Sequence, residues 1–276
     1  PNTMIIQLTG VSGNHYHYGL SDVIRLVRVD FVEGKVTVLP LPRDLWVEIP
    51  VSIPGKTEGL TPGKLNQAYY YGSPGLDYYL GPDQSPGLLA DTLESYFNFP
   101  VDRYLSVNTR VFRWMVNQVG GIDVYLPRNV YKHHLDKPVL YLSRGHHHLN
   151  GEQAEMVARH RTLVGDFGRM ENQSLLIKAL IRKMISPSGL KELPRLVNIF
   201  KDHVLMDFSP RDISSLICLA GKIDLEKDIV LASFPKSLIE QVRIYDQVNN
   251  YRAAALTYDL DELRIFLLKF QLGMWP

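Results

Sequence analysis

Apolar positions along the chain change period near residue 90. Before it, Met4-Ile5-Ile6-Gln7-Leu8, Val23 to Val29 and Val36 to Leu39 are β-branched and aliphatic runs that predict strands. Glu33-Gly34-Lys35 predicts a hairpin between the last two, and Trp46 to Ile49 a further strand after the tight Pro40-Leu41-Pro42-Arg43-Asp44 segment. Residues 50 to 90 hold many of the prolines and glycines around Tyr69-Tyr70-Tyr71 and Tyr78-Tyr79, which predicts a long surface excursion. From Asp91 the pattern alternates: helix to Phe97, strand from Tyr104 to Val107, helix from Arg110 to Val119, strand from Ile122 to Leu126 after Gly120-Gly121. Helices are predicted over Gly151 to His160, Phe167 to Ile185 and Leu190 to Phe200, with Pro187 and Gly189 separating the last two. Ser209-Pro210-Arg211-Asp212 reads as a capped helix start, Ile229 to Ser233 as a short strand and Leu260 to Leu268 as a closing helix. Such alternation predicts a layered α/β sheet covered by helices.

Composition acts mainly by exclusion. With 276 residues, 45% hydrophobic and 21% charged, the chain can bury a substantial core and is not disordered. Thirty Lys and Arg against 29 Asp and Glu leave a net charge of +1, which removes the global positive field expected of a nucleic-acid binder. Any basic site must be local. The single cysteine, Cys218, lies in Ile217-Cys218-Leu219-Ala220 and reads as a buried small hydrophobe. No run approaches the roughly 20 apolar residues of a membrane helix. The chain opens with Pro1-Asn2-Thr3 and passes at once into a strand without a leader of its own, so an anchor or signal would have to stand upstream.

The densest polar constellation is Arg159-His160-Arg161, then Gly165-Asp166-Phe167-Gly168-Arg169 and Asn172-Gln173. Arg159 and Arg161 end one predicted helix, Asp166 caps the next, and Arg169 and Gln173 are one turn apart on it. Three guanidiniums can converge there, and their fork geometry suits phosphate or pyrophosphate oxygens. The same charges would also be satisfied as helix-end groups paired with Glu155 and Glu171. Arg43 sits in a turn between strands, where it can join the other arginines or staple the turn through Asp44. Asp22 precedes the strongest strand and can hold a cation, take a proton or merely lead the strand. His146-His147-His148 are adjacent residues that cannot easily aim three imidazoles at one ion, so a polar loop is the better reading. No nucleophile elbow, Walker loop or dinucleotide fingerprint is present.

The order of segments carries more than any one of them. Ser21-Asp22-Val23-Ile24, LPRDLWVEIP (Leu41 to Pro50), KLNQAYYYG (Lys64 to Gly72), FPVDRYLSVN (Phe99 to Asn108), VGGIDVYLP (Val119 to Pro127), HLNGEQAEMVARHR (His148 to Arg161) and DFGRMENQ (Asp166 to Gln173) run collinearly over residues 4 to 185. In this order they resemble the LytR-CpsA-Psr family. The resemblance implies an α/β/α sandwich around a central mixed β-sheet over residues 1–185, and residues 186–276, which match no motif, are expected to form a mostly helical C-terminal extension packed on the same domain.

The resemblance also implies chemistry. Family members are cell-envelope enzymes outside the cytoplasmic membrane, usually held by an N-terminal membrane helix. They move a glycopolymer such as teichoic acid, capsular polysaccharide or arabinogalactan from a polyprenyl-pyrophosphate carrier to peptidoglycan. An apolar pocket takes the polyprenyl chain and an arginine cluster takes the pyrophosphate, often with magnesium. By motif, Asp22 matches the strand-leading aspartate and Arg43 the arginine of the Pro-Arg-Asp turn. Arg159 and Arg161 match the paired arginines, and Asp166, Arg169 and Gln173 the residues that follow. Asp22, Arg43 and Arg161 are thereby the expected catalytic residues, Arg43, Arg159, Arg161, Arg169 and Gln173 the expected pyrophosphate ligands, and Asp22 and Asp166 the expected Mg2+ ligands. Three positions depart from the pattern: Ser12 stands where an aspartate is common, Leu20 where an arginine is common, and Asn172 where a second arginine is common. His15, His17 and Arg25 are the residues nearby that can compensate.

Overall fold

A computed structural model of the chain describes residues 2–134, 137–161 and 165–274. Strands β1 (Thr3–Val11), β2 (Ser21–Asp30) and β3 (Lys35–Leu41) form an antiparallel meander, with Gly34 in the left-handed region (φ 67°) at the β2–β3 turn. The short strands β4 (Trp46–Ile49) and β5 (Thr61–Lys64) pair with each other and lead into helices α1 (Leu65–Tyr71) and α2 (Gln84–Phe97). Strand β6 (Arg103–Asn108) returns parallel to β1, and α3 (Thr109–Gln118) leads to β7 (Ile122–Leu126). Next come the antiparallel pair β8 (Val130–His134) and β9 (Lys137–Leu142), then β10 (Gly145–Leu149), which pairs with β7, then α4 (Gly151–Arg159) and α5 (Gly165–Met184). The chain finishes with α6 (Pro187–Phe200), β11 (Leu205–Met206), α7 (Pro210–Ala220), β12 (Ile229–Leu231), β13 (Glu240–Asp246), β14 (Tyr251–Thr257) and α8 (Leu260–Gln271).

The central sheet is six-stranded and mixed, in the order β11-β6-β1-β2-β3-β12. Strand alternation gives it two unlike faces. One carries Ile5, Ile24, Leu26, Leu39 and Leu41, all buried against Leu65, Ala68 and Tyr69 of α1, Leu88, Leu93 and Phe97 of α2, and Leu263, Leu267 and Phe270 of α8. On the other face Met4, Ile6 and Val29 pack against Leu219 of α7, and Met170 and Gln173 of α5 meet the Arg25 side chain of β2. Between those two helices, Leu8, Val23, Val27, Leu105, Val107 and Leu231 are only half-buried, although most belong to interior strands. Helices on both faces make an α/β/α sandwich, and the second face keeps a row of half-buried apolar side chains.

Several sequence expectations need correcting. Residues 50 to 90 are not a surface excursion: Val51, Ile53, Leu65, Tyr69, Tyr71, Leu88 and Leu89 are buried, and the helix expected from Asp91 already starts at Gln84. Tyr69, Tyr70 and Tyr71 belong to α1, and the buried Tyr69 and Tyr71 help to fill that face. Pro187 and Gly189 do not separate two helices but lie in the first turn of α6, behind the Ser186 cap, where proline lacks no needed N–H. Cys218 is exposed. Its neighbour Leu219 takes the inward position, and one residue along a helix turns the side chain by about 100°. The final 90 residues are less helical than expected: β11 and β12 complete the central sheet, and β13 and β14 form a hairpin whose Asp246 Oδ2 accepts from Gln67 Nε2 of α1 at 3.1 Å.

Helix α7 begins as anticipated, with a capping box between Ser209 and Asp212. Asp212 also accepts from Arg103 Nε at 2.8 Å, and these bonds, that to Arg103 first, hold its carboxyl down at about 2. Its folded pKa lies below its unfolded value near 4, so this contribution is complete above pH 4 and is lost as pH falls towards 2. Asp212→Asn is expected to cost about 1–2 kcal/mol at pH 7. Thermal melts should show that difference shrinking below pH 4.

Candidate active site

The site gathers at one end of the sheet, where β2 starts, β3 ends and α5 begins. Pro42 and Arg43 follow β3 directly, so the turn delivers the Arg43 guanidinium beside the first residues of β2. Arg43 Nη1 donates to Asp22 Oδ1, and Arg43 Nε lies 3.3 Å from Asp44 Oδ2, while Asp44 Oδ1 accepts from Lys64 Nζ at 2.8 Å. From the other side come the residues flanking the α5 N-terminus. Asp166 Oδ1 lies 3.4 Å from Arg161 Nε and 3.2 Å from Arg169 Nη2. The two halves share one field. Burial acts to lower the Arg43 pKa, but Asp22 and Asp44, with Asp166 behind them, offset this and hold it above its usual value. Arg169 is 3% exposed, and burial followed by Arg43 and Arg161 brings its pKa down to about 10.

Five of the seven expected residues therefore converge: Asp22, Arg43, Arg161, Asp166 and Arg169. The other two are placed differently. Arg159 points along the outer side of α4, where Nη1 bonds Glu155 Oε1 at 2.9 Å, the helix-end pairing that its i,i+4 spacing allows. Glu171, the other acid considered as a partner, pairs instead with Arg128. Gln173 is buried one turn beyond Arg169 and spent on protein contacts. Its Nε2 donates to Ala158 O at 3.3 Å, and its Oε1 accepts from Arg25 Nη2 at 3.1 Å.

Arg25 and Lys64 are the residues that sequence reasoning left aside or named only in passing. The signal for Arg25 was a charged residue inside the apolar run of β2. The departures from the pattern have local explanations. Ser12 Oγ accepts from Leu20 N and donates to Leu20 O, both at 3.1 Å, closing the loop between β1 and β2, and Asn172 Nδ2 donates to Val157 O at 3.5 Å. The three histidines lie on β10, not in a loop, and each has its own partner. His146 stacks edge-on against Tyr125 at 4.9 Å, His147 bonds Ser143 O at 2.7 Å, and His148 bonds Asp123 at 2.7 Å.

Among the described residues no group of three or more His, Cys, Asp or Glu side chains is arranged to hold a metal ion. A magnesium ion asks for less: one or two carboxylates, with waters and substrate phosphates supplying the rest. Asp22 and Asp166, facing the same arginines, fit that smaller demand.

Chemically, the arrangement is an anion clamp. Around it, Arg25, Arg43, Lys64, Arg161 and Arg169 stand against Asp22, Asp44 and Asp166, so positive charge exceeds negative by two. The half-buried Leu8, Val23 and Val27 lie beside it on the same sheet face as Arg25.

Known proteins share both the sequence pattern and the fold. The model of the LytR_cpsA_psr family matches residues 2–268. Over 190 residues, 67% of this chain and 44% of the relative, the sequence is 32% identical to the polyisoprenyl-teichoic acid–peptidoglycan teichoic acid transferase TagV of Bacillus subtilis. It is 29% identical to the corresponding transferase TagU of Enterococcus faecalis over 200 residues, 72% of this chain and 58% of that protein. The chain thus spans about half the length of the curated relatives it matches. The crystal structure of B. subtilis TagV superposes with a TM-score of 0.71 at 26% identity, covering 100% of this chain and 99% of that one. A structure of TagT bound to LIIa-WTA shares the fold, with a TM-score of 0.67 at 21% identity over 99% of this chain and 91% of that one. Ordered motifs, sandwich and arginine cluster together with a family match over nearly the whole chain lead to one conclusion: this protein belongs to the LytR-CpsA-Psr family.

Proposed function

We propose that this chain is a glycopolymer phosphotransferase that takes a polyprenyl-pyrophosphate-linked glycan and attaches it, through phosphate, to peptidoglycan. The observation that carries the reading is the arginine cluster with two uncompensated positive charges next to a row of half-buried apolar side chains on the sheet. A polyprenyl-pyrophosphate sugar is a diester with two negative charges and a long apolar tail, and it matches both parts. The relatives' activity as teichoic acid transferases supports the same class.

In the reaction a peptidoglycan sugar hydroxyl attacks the phosphorus next to the glycan. A new P–O bond forms, the bond to the bridging oxygen breaks, and polyprenyl phosphate leaves with that oxygen. Charge grows on the phosphoryl oxygens and on the leaving phosphate, where Arg43, Arg161 and Arg169 stabilise it. Asp22, fixed by Arg43, is placed either to accept the hydroxyl proton or to carry a metal ligand's charge. Magnesium, held by Asp22 and Asp166, would neutralise charge on the phosphates when bound. Among the described residues no helix is long and apolar enough to cross a membrane. The reading places the domain on the extracytoplasmic face of the cell membrane, in the envelope, tethered by an anchor preceding residue 1.

The test is a synthetic polyprenyl-pyrophosphate disaccharide incubated with the protein, with and without peptidoglycan. The expected result is release of polyprenyl phosphate together with glycan linked to the acceptor. Release at the same rate without acceptor, and no linked product, would identify a hydrolase. No turnover and no bound lipid would overturn the reading.

A further inference from the structure

At the centre of β2, Arg25 stands where the strand's alternation calls for an apolar side chain. On the same face its neighbours are Val23 and Val27 along the strand and Leu8 and Pro40 across it. Arg25 is 1% exposed, yet among the described residues no carboxylate bonds to it. Its Nη1 donates to Ile24 O at 3.2 Å, and its Nη2 donates to Met170 O and Gln173 Oε1, both at 3.1 Å. All three acceptors are neutral. Its Nε is buried without a partner, and so is the Nε of Arg169, whose charge lies near enough to act on Arg25.

A buried guanidinium held only by neutral acceptors destabilises the protein until an anion joins it. Arg169 has a carboxylate partner in Asp166 but also an idle buried N–H, and two buried guanidiniums with idle donors make a poor core and a good phosphate site. Burial, then the charge of Arg169, brings the Arg25 pKa down to about 9, so the guanidinium still carries its charge at neutral pH.

We propose that Arg25 is a diphosphate-binding residue and the countercharge to the phosphate nearer the lipid. The assignment rests on the pyrophosphate reading above and deepens it. Without Arg25 the positive excess of the site falls from two to one, which matches a phosphodiester but not a pyrophosphate diester. Its place along β2 sets which phosphate it takes. Asp22 and Arg43 lie at the end of the sheet, whereas Arg25 lies three residues further along β2, beside the half-buried apolar Leu8 and Val27. The phosphate there is the one that departs with the polyprenyl chain.

The decisive variant is Arg25→Met, which keeps length and removes charge, with Arg25→Lys as a charge-retaining companion. Geranylgeranyl pyrophosphate and geranylgeranyl monophosphate serve as probes, read by calorimetry beside thermal melts of the unliganded protein. Arg25→Met is expected to melt higher than the parent and to bind both probes about tenfold or more weakly. Arg25→Lys should keep part of that affinity. Arg161→Ala, at the exposed end of the cluster, should weaken the pyrophosphate far more than the monophosphate. A parent that binds neither probe overturns the pyrophosphate reading and this assignment with it. If the parent binds and Arg25→Met binds equally well, the assignment alone falls. It falls too if Arg25→Met melts lower with affinity unchanged, the mark of a structural strut, or if only the pyrophosphate is weakened, which would put Arg25 at the other phosphate.

Discussion

Arg169→Ala is expected to lower turnover of the polyprenyl-pyrophosphate donor by about 10²–10³, the loss typical of removing one preorganised transition-state donor, about 3–4 kcal/mol. Among the converging side chains Arg169 is the one that links the two halves of the site. It is fixed by Asp166 at 3.2 Å, lies within the field of Arg43, Arg161 and Asp22, and is almost fully buried. Water therefore screens it little, and its interaction with charge developing on phosphorus is strong for the same reason. Its removal leaves Asp166 with Arg161, so the variant should fold and melt close to the parent. Arg161, with 47% of its side chain exposed, is screened more, and Arg161→Ala should lose less. The measurement is initial-rate release of polyprenyl phosphate at saturating donor. A rate within threefold of the parent in a folded Arg169→Ala would remove the arginine cluster from the chemistry.

The largest expected effect on stability lies far from the site. Phe270→Ala should cost about 3–5 kcal/mol, because the ring is fully buried and its loss opens a cavity between helix and sheet layers. Phe270 stacks obliquely on Phe99 with centroids 6.2 Å apart, and Leu263 and Leu267 on the same stripe of α8 are 0% and 1% exposed. Arg264 fastens the helix further by donating from Nη2 to Tyr96 O at 2.7 Å. For a chain of this size the loss corresponds to a fall of about 10 °C in Tm. Ile265→Ala, on the opposite side of α8 where Ile265 is 54% exposed, is the internal control and should shift Tm by little. Equal effects from the two variants would mean that α8 does not pack as described. The large effect would also show that the last residues of the chain belong to the core of the catalytic layer and cannot be trimmed as an accessory lobe.

What the sequence disclosed followed from periodicity and from motif order. Trp46–Ile49 and Ile122–Leu126 were read to the residue because turn signals bracket each alternation. Residues 50 to 90 depart from the expected surface excursion because their proline and glycine density masks the tyrosine run that α1 buries. Strand β11 is only two residues long, too short to carry a period, and the register that brings Leu205 and Met206 onto β6 is a tertiary fact. Motif order names Asp22, Arg43, Arg161, Asp166 and Arg169, which the fold brings together, but it does not give their geometry. Arg159 stands apart because its i,i+4 partner Glu155 holds it. Gln173 went astray because a buried glutamine on α5 faced an arginine whose role depended on strand alternation across the whole sheet.

The outermost strands, β11 and β12, are drawn from the last third of the chain. During synthesis the paired strands β6, β1, β2 and β3 are complete once Asn108 has emerged, yet the bare edge of β6 waits for Leu205 and that of β3 for Ile229. Chains that stall in this interval carry two open rows of unpaired amides, a template for joining one another. Once finished, the two brief border strands leave an incoming neighbour almost no ladder to extend.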